Sequence, residues 1–427
     1  MDSDMQLDAA FIRGLTQRRL SRGEMLKATG AGIGSLSLAS LLAACGTGGA
    51  SGTSGSGATA VGSTAWWDKQ KKGSTLSFAN WPLYIDKTQK NGRTDHPSLD
   101  KFTNATGIKV HYQEVIQSYE SFFGKIRPSL AAGQSIGYDL IIMGYPKWLG
   151  LMIQLGYLVP LDHAKLPNFN KNAASFAKNP FYDPGNRYSV PWQTGLTAIG
   201  YNPKLTGRPI TSLQDLMDPA FRGKIGMFGD ITDMPNTALL AVGVNPTKAT
   251  VSDWHKAANW LQRQKNAGLV RQYYDQDYID ALTKGDVWLS MAYSGDIYQA
   301  NLSGAHLEFV VPKEGALLWA DCMCIPKHAS NPLGALDLMD FVYKPDIAAM
   351  ITEYIDYITP VATAKQAILK NAAQASSLSE KKSLRSLASS ELVFPTKADS
   401  AKFHFYANVP NSKQQEWNNL FEPIYQS

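Results

Sequence analysis

The stretch Ile108-Lys109-Val110-His111-Tyr112 begins the part of the sequence that decides the fold, and Tyr138-Asp139-Leu140-Ile141-Ile142-Met143 ends it. Both runs are short and apolar, which is typical of β-strands. Between them, residues 119–132 follow a helical pattern that stops at Gly133, a residue type that commonly ends helices. A strand, a helix and a second strand in this order predict a βαβ unit with parallel strands.

The same alternation continues on both sides of this unit. Further helical patterns stop at glycines 107 and 156, and strand-like runs lie between such helices. We therefore predict an α/β protein with mostly parallel sheets flanked by helices. The predicted helices are Leu99–Thr106, Tyr119–Ala132 and Lys147–Leu155, and the predicted strands are Leu76–Asn80, Ile108–Tyr112, Tyr138–Met143, Lys224–Phe228, Val287–Ala292 and His306–Val311.

Several predicted strands run directly into turns that carry aromatic or acidic residues. In open α/β sheets, ligands bind beyond the carboxyl ends of the strands. Aspartate and glycine are also common in turns for conformational reasons, so no single turn is informative. Their repetition at successive strand ends predicts one shared binding cleft. The turn residues are Trp81, Tyr84, Gly144, Tyr145, Gly229, Asp230, Asp233, Tyr293 and Asp296.

The first 74 residues have the composition of an export leader and a tether. Four arginines precede an apolar run from Ala28 to Ala44, which is the layout of a signal peptide at residues 1–44. Leu42-Ala43-Ala44-Cys45 resembles the lipoprotein box, which implies cleavage before Cys45 and acylation of its thiol. Residues 45–74 are predicted to form a lipidated flexible tether, because Gly and Ser dominate its first part. Arg18-Arg19 resembles a twin-arginine signal imperfectly, and general export stays open.

The rest of the composition excludes several classes of function. Residues 45–427 carry 36 Lys and Arg against 32 Asp and Glu, without the basic stripe that nucleic-acid binding requires. Cys322 and Cys324 lie two residues apart in a strand-like run, where a disulfide would be strained, so we expect two buried thiols. No second Cys or His pair accompanies them, and we expect no metal and no cofactor.

Eight ordered segments between Leu76 and Pro360 resemble one family. They are similar to the spermidine/putrescine branch of the extracellular solute-binding proteins of ABC importers. The segments are Asn80-Trp81-Pro82-Leu83-Tyr84-Ile85, Tyr138-Asp139-Leu140-Ile141-Ile142, Tyr188-Ser189-Val190-Pro191-Trp192, Thr197-Ala198-Ile199-Gly200-Tyr201-Asn202, Phe221-Arg222-Gly223-Lys224-Ile225, Val311-Pro312-Lys313-Glu314-Gly315, Trp319-Ala320-Asp321 and Tyr357-Ile358-Thr359-Pro360.

This resemblance implies a two-lobe, periplasmic-binding-protein-like fold that closes about a hinge. Lobe 1 would comprise residues 75–194 plus 321–360, and lobe 2 residues 195–320 plus 361–427. The implied protein is no enzyme: it is an extracytoplasmic, lipid-anchored monomer in the periplasm or on the cell surface. It would bind a polyamine or a similar small cation and deliver it to an ABC permease.

The resemblance also implies which residues bind the ligand. Carboxylates would meet the ammonium groups, and aromatic faces would pack on the methylenes. Leu83 occupies a position where polyamine receptors usually carry an acid, which leaves the length of the ligand open. The implied aromatics are Trp81, Tyr84, Tyr145, Tyr293, Trp319 and Tyr357, and the implied acids are Asp230, Asp233, Asp296 and Asp321; Asn408 and Asn411 are further candidates.

Other interpretations of these residues remain. Asp230 and Asp233 also fit the cap and first turn of a helix over Asn236–Val242. Trp81 and Trp319 fit ordinary core packing. For the whole protein, the alternatives are a receptor for another small organic solute or for iron, an exported hydrolase, and an adhesin. The seven histidines are scattered and no Gly-x-Ser-x-Gly elbow follows a strand, which disfavours the hydrolase.

Overall fold

The computed structural model describes residues 59–90, 93–145, 147–275 and 277–426. The predicted signal peptide and Cys45 lie outside these residues. Within the described ranges, no helix combines the length and the apolar character needed to cross a bilayer.

Strands and helices alternate along the described chain. The strands are β1 Thr75–Asn80, β2 Thr88–Lys90, β3 Arg93–Asp95, β4 Lys109–Glu114, β5 Leu140–Tyr145, β6 Ser189–Tyr201, β7 Ile225–Phe228, β8 Val270–Tyr274, β9 Leu289–Tyr293, β10 Glu308–Val310, β11 Ala316–Cys324 and β12 Phe403–His404. The α-helices are α1 Thr64–Asp68, α2 Pro97–Thr106, α3 Tyr119–Ala131, α4 Lys147–Gln154, α5 Pro167–Asn172, α6 Pro203–Thr206, α7 Asp233–Ala241, α8 Val251–Asn266, α9 Tyr278–Lys284, α10 Ser294–Leu302, α11 Pro332–Phe341, α12 Pro345–Ile355, α13 Ala364–Gln374, α14 Leu378–Ser389, α15 Lys397–Ser400 and α16 Gln414–Gln426.

Ten of these strands form one sheet in the order β4-β1-β5-β11-β6-β9-β7-β8, with β10 on β6 and β12 on β11. Pairing is parallel in both wings, between β4, β1 and β5 on one side and between β9, β7 and β8 on the other. The long strands β6 and β11 run antiparallel to each other, β11 runs antiparallel to β5 and β6 to β9, whereas the short β12 pairs with β11 in parallel. The predicted α/β class is confirmed, and the parallel pairing belongs to the wings.

The first and last residues of the predicted elements lie close to those of the observed elements. The three predicted helices correspond to α2, α3 and α4, each within two residues at either end. Periodicity did not predict that β6 spans 13 residues, all of them buried. A strand buried on both faces has no polar alternation by which its ends can be recognised.

The tether prediction is wrong for its second half. Residues 64–68 form α1, where Trp67 is 1% exposed and its indole N–H donates to the carbonyl of Pro160 at 3.0 Å. Lys72 pairs with Asp337 at 2.5 Å. The chain therefore packs on the body of the protein well before Ser74. Burial of the large Trp67 side chain stabilises this packing by more than the ordering of the flanking small residues costs.

The core contains the two predicted thiols. Cys322 and Cys324 are free and buried in β11, on the side of Tyr182 and the neighbouring strands. Burial raises the pKa of the Cys324 thiol well above its usual value, so both positions act as small apolar packing groups.

Candidate functional site

The candidate site is built on one face of the central strands β6 and β11. Cross-strand pairing sets Asp321 opposite Gln193 and Trp319 opposite Gly195. The Trp319 ring lies so close to Gly195 that a Cβ atom there would collide with it. The absence of a side chain at residue 195 therefore allows the indole to lie flat against the strand. Among the described residues, the buried Trp319 indole N–H has no hydrogen-bond partner.

Asp321 is held by two phenols from the β1–β4–β5 wing. Tyr84 donates to its Oδ2 at 2.9 Å and Tyr119 donates to its Oδ1 at 2.5 Å. Burial, followed by the charge of Asp321, raises the pKa of both tyrosines well above the usual value. Both therefore stay protonated donors at neutral pH, and the carboxylate stays the acceptor.

Asp233 is held in the same way from the other wing. Tyr406 and Thr197 donate to its Oδ1 at 2.6 and 2.7 Å, and Tyr293 donates to its Oδ2 at 3.2 Å. Asp233 is the first residue of α7 and is 8% exposed. The helix N-terminus and the hydroxyl donors together stabilise a carboxylate at this buried position.

Asp296 is the third carboxylate, in the first turn of α10. Tyr278 donates to its Oδ2 at 2.6 Å and Tyr357 donates to its Oδ1 at 3.4 Å. Burial raises the pKa of Asp296 to about 6, and the two phenols only partly oppose that shift. Among the residues that the structure describes, Asp296 has no ion pair with Lys or Arg.

A row of aromatic rings joins the three carboxylates. Trp319 lies edge-on to Tyr293 on one side, with ring centroids 6.1 Å apart, and to Tyr357 on the other at 5.6 Å. Tyr357 continues the row to Tyr84 at 6.0 Å. Because the phenols of Tyr293, Tyr357 and Tyr84 reach Asp233, Asp296 and Asp321 respectively, the row and the acids form one cluster.

Seven of the ten implied ligand residues are thus brought together, and Trp81 lies beside them. Its ring meets that of Tyr119 edge-on at 4.9 Å. The other two implied residues, Tyr145 and Asp230, have different surroundings. The seven are Tyr84, Asp233, Tyr293, Asp296, Trp319, Asp321 and Tyr357.

Asp230 serves as a cap. Its Oδ1 accepts the backbone N–H groups of Thr232 and Asp233, at 2.6 and 2.5 Å, at the start of α7. The capping interpretation therefore holds for Asp230, whereas Asp233 combines its place in the first turn with the phenol contacts described above.

The turn after β1 explains the Leu83 substitution. Leu83 adopts a left-handed conformation, with φ 56°, and its N–H donates to Glu114 Oε1 at 3.1 Å. Glu114 ends β4, so a carboxylate still lies against this turn, from a neighbouring strand. Asp86 is buried and accepts from the N–H and the hydroxyl of Ser98, which ties it to the first turn of α2.

Tyr145 lies at the edge of the cluster, against the C-terminal segment. Its ring stacks on Tyr182 with centroids 4.0 Å apart and meets Phe405 edge-on at 6.0 Å. Its hydroxyl donates to the carbonyl of Tyr406 at 3.0 Å. Tyr145 thus joins β5 to the segment that supplies the Tyr406 phenol to Asp233.

Replacing Tyr145 by Phe is expected to lower the free energy of unfolding by about 1 kcal/mol, because one buried hydrogen bond is lost while the ring packing stays. Urea denaturation monitored by far-UV circular dichroism measures this change. Tyr138→Phe, at a half-buried tyrosine whose hydroxyl makes no hydrogen bond within the described residues, is the matched control. Equal stability of both variants and the parent protein would contradict this role for the Tyr145 hydroxyl.

Three tyrosines in the cluster were not predicted: Tyr119, Tyr278 and Tyr406. Tyr119 and Tyr278 are the first residues of α3 and α9, just beyond β4 and β8, so the strand-end rule that found Trp81 applies to them as well. Tyr406 follows β12, a two-residue strand with no recognisable pattern. Nothing in the sequence near Tyr406 signals that it returns to Asp233.

The carboxylates of the cluster suit a cation, but they are not arranged as the ligands of a metal ion. The structure's described residues contain no group of three or more His, Cys, Asp and Glu side chains placed to hold a metal ion. The tyrosines are hydrogen-bond donors to carboxylates. Carboxylates that flank aromatic faces suit an organic ammonium, which combines charge-assisted hydrogen bonds with cation–π contacts.

Comparison with known proteins agrees with this class of site. Residues 98–377 match the family described as bacterial extracellular solute-binding protein, and the chain belongs to this family. It is 30% identical over 293 residues to the spermidine/putrescine-binding periplasmic protein of Escherichia coli (strain K12), covering 68% of this chain and 79% of that protein. It is 32% identical over 317 residues to the putrescine-binding periplasmic protein SpuD of Pseudomonas aeruginosa, covering 70% and 82%.

A solved structure shows the same fold. The spermidine/putrescine ABC transporter substrate-binding protein PotD of Streptococcus pneumoniae superposes with a TM-score of 0.68 at 23% identity, covering 82% of this chain and 98% of that one. The periplasmic-binding-protein fold expected from the resemblance is therefore confirmed.

Proposed function

We propose that this protein is the extracytoplasmic substrate-binding component of a polyamine ABC importer. It binds putrescine or spermidine and performs no chemistry on it. The names of the relatives support the class of ligand. The observation that carries the proposal is the single cluster in which Asp233, Asp296 and Asp321 are joined by the ring row of Tyr293, Trp319, Tyr357 and Tyr84.

Each part of a polyamine has a complement in this cluster. An ammonium group donates charge-assisted hydrogen bonds to the carboxylates. The methylenes pack against the faces of the rings. Each cation–π contact contributes about 0.5–2 kcal/mol, more when it is removed from water. Asp296, which lacks a cationic side-chain partner among the described residues, gains the most from a bound ammonium.

We propose that the ligand lies between two lobes, residues 75–194 plus 321–360 and residues 195–320 plus 361–427. In support, Asp321 takes its phenols from the first set of residues and Asp233 from the second. The chain crosses between the sets in β6 and β11, and a third time next to the bridge between Thr194 and Ile358. Rotation about these crossings would open and close the site.

The remaining parts of the proposal concern where the protein acts. Acylation of Cys45 would anchor it outside the cytoplasmic membrane, and the closed form would dock as a monomer on a membrane permease. Mass spectrometry of the protein from membranes tests the anchor, because the mature N-terminal peptide should begin at Cys45 and carry acyl chains.

Isothermal titration calorimetry tests the proposed ligand directly. The full chain with Cys45→Ser, which prevents acylation, is titrated with putrescine, spermidine and 1,4-butanediol. Saturable binding of at least one amine is expected, and butanediol, which keeps the carbon chain but lacks both charges, should not bind. No heat with either amine, or equal heat with butanediol, would overturn the assignment.

A further inference from the structure

The helical hairpin α13–α14 carries the whole net charge of the folded chain. We call residues 361–390 the basic hairpin. It contains five Lys and Arg side chains and a single acid, Glu380. Residues 59–427 carry 36 basic and 32 acidic side chains, so the rest of this part of the chain holds 31 of each. Outside the basic hairpin, the charges of this part of the chain therefore sum to zero.

Three of the five cations of the basic hairpin are exposed to solvent. Lys370, Lys382 and Arg385 are exposed and Lys381 is half-buried. Within the described ranges none of the four forms an ion pair, whereas several cations elsewhere do, as Lys72 does with Asp337. Unpaired cations on adjacent turns of one helix repel each other in the isolated protein, and an anionic partner relieves that repulsion.

The tip of the basic hairpin also exposes apolar surface. Leu378, the first residue of α14, is 86% exposed, and Leu369 in the middle of α13 is 42% exposed. The opposite side of the hairpin is packed on the body through a separate small apolar cluster that includes Ile368, Leu387 and Tyr298. The hairpin therefore holds Leu378 outward on a supported element.

We propose that the basic hairpin binds an anionic phospholipid surface. Cations around a projecting leucine form the pattern of interfacial membrane segments, in which the charges attract lipid headgroups and the apolar side chain enters the headgroup boundary. A projecting leucine among cations fits a lipid surface, which accepts the apolar side chain beneath its charged headgroups. This binding is independent of the ligand site, because none of its residues belongs to the carboxylate cluster.

A fluorophore attached at residue 378 tests whether the tip of the hairpin enters the lipid surface. The full chain with Cys45→Ser and Leu378→Cys is labelled with an environment-sensitive dye; Cys322 and Cys324 are buried and do not compete for it. A blue shift is expected with vesicles containing phosphatidylglycerol, and it should fade with added salt. Vesicles of phosphatidylcholine alone should give none. A second label at Ser252→Cys, an exposed position on α8, should not respond to either.

Charge variants then identify the hairpin as the source of binding. Combined Lys370→Gln, Lys382→Gln and Arg385→Gln should raise the lipid concentration at half-maximal shift at least about tenfold, given roughly fivefold per cation near an anionic surface. Lys101→Gln, Lys125→Gln and Arg127→Gln remove three equally exposed cations from α2 and α3 and should change nothing. Unchanged amine titrations confirm that both triple variants are folded.

The proposal is overturned by any of three results: no shift with phosphatidylglycerol vesicles, equal shifts at positions 378 and 252, or equal losses in both triple variants. The first result would leave an acidic protein as the remaining partner for the hairpin. None of the three bears on amine binding, which calorimetry measures separately.

Discussion

Replacing Asp321 by Asn is expected to weaken amine binding by about 1.5–3 kcal/mol, roughly ten- to a hundredfold in Kd. The amide keeps the shape of the side chain: its oxygen can still accept from one of Tyr84 and Tyr119, and its NH2 group can donate to the hydroxyl oxygen of the other, but it cannot neutralise an ammonium. The loss therefore reports the charge of Asp321, and titration calorimetry with the tighter of putrescine and spermidine measures it.

Asp340→Asn is the matched control for this substitution. Asp340 is a buried carboxylate outside the cluster that accepts from the backbone N–H groups of Asn168 and Phe169. This control is expected to lower the free energy of unfolding without changing Kd. If Asp321→Asn also leaves Kd unchanged, Asp321 does not contact the ligand.

The affinity for amines is expected to fall when the pH drops below 6. Burial raises the pKa of Asp296 to about 6, so a proton competes with the ammonium for this carboxylate in slightly acidic solution. Kd should then rise up to tenfold per pH unit below 6, while the ligand, with ammonium pKa values near those of lysine, stays charged. Calorimetry at pH 7.5, 6.5, 5.5 and 5.0 measures the slope.

Asp296→Asn should remove this pH dependence, whereas Asp321→Asn should keep it. Asp296→Asn also tests, in the absence of ligand, the direction in which the pKa of Asp296 is shifted. The native carboxyl binds its proton more tightly than the usual value of 3.8, so Asp296 favours unfolding increasingly as the pH rises from about 4 to 6. At pH 8, Asp296→Asn should therefore be more stable than the parent protein by up to on the order of 3 kcal/mol. A pH-independent Kd in the parent protein would show that Asp296 does not meet the ligand.

Much of the fold and of the cluster could be predicted because strand ends are visible in sequence. Apolar runs such as Tyr138–Met143 stop where the sheet stops, and the next residues then lie at its edge. Trp319 and Asp321 were predicted differently, from resemblance, because they lie inside β11 and follow no turn. The geometry of that strand explains their roles, since Gly195 opposite Trp319 makes room for the ring.

What could not be predicted depends on contacts between distant parts of the chain. Tyr406 reaches Asp233 across 173 residues, and no local pattern encodes such a return. Trp67 follows a tract of small residues, so composition assigned it to the tether, although its indole finds the carbonyl of Pro160 93 residues further on. The phenol pairs on each aspartate were missed for the same reason, because every one of them joins separate elements.

The arrangement of β6 has a practical consequence for the design of truncated or chimeric forms of this protein. Its 13 residues pair with β11 along residues 189–197 and with β9 along residues 197–201, so one uninterrupted strand belongs to both wings. A cut near residue 194 would leave each product with half a strand and with bare sheet edges, which promote aggregation. The two wings are therefore not modules that can be cloned, swapped or grafted separately, and chimeras with relatives should exchange the whole folded chain or loops outside this ribbon.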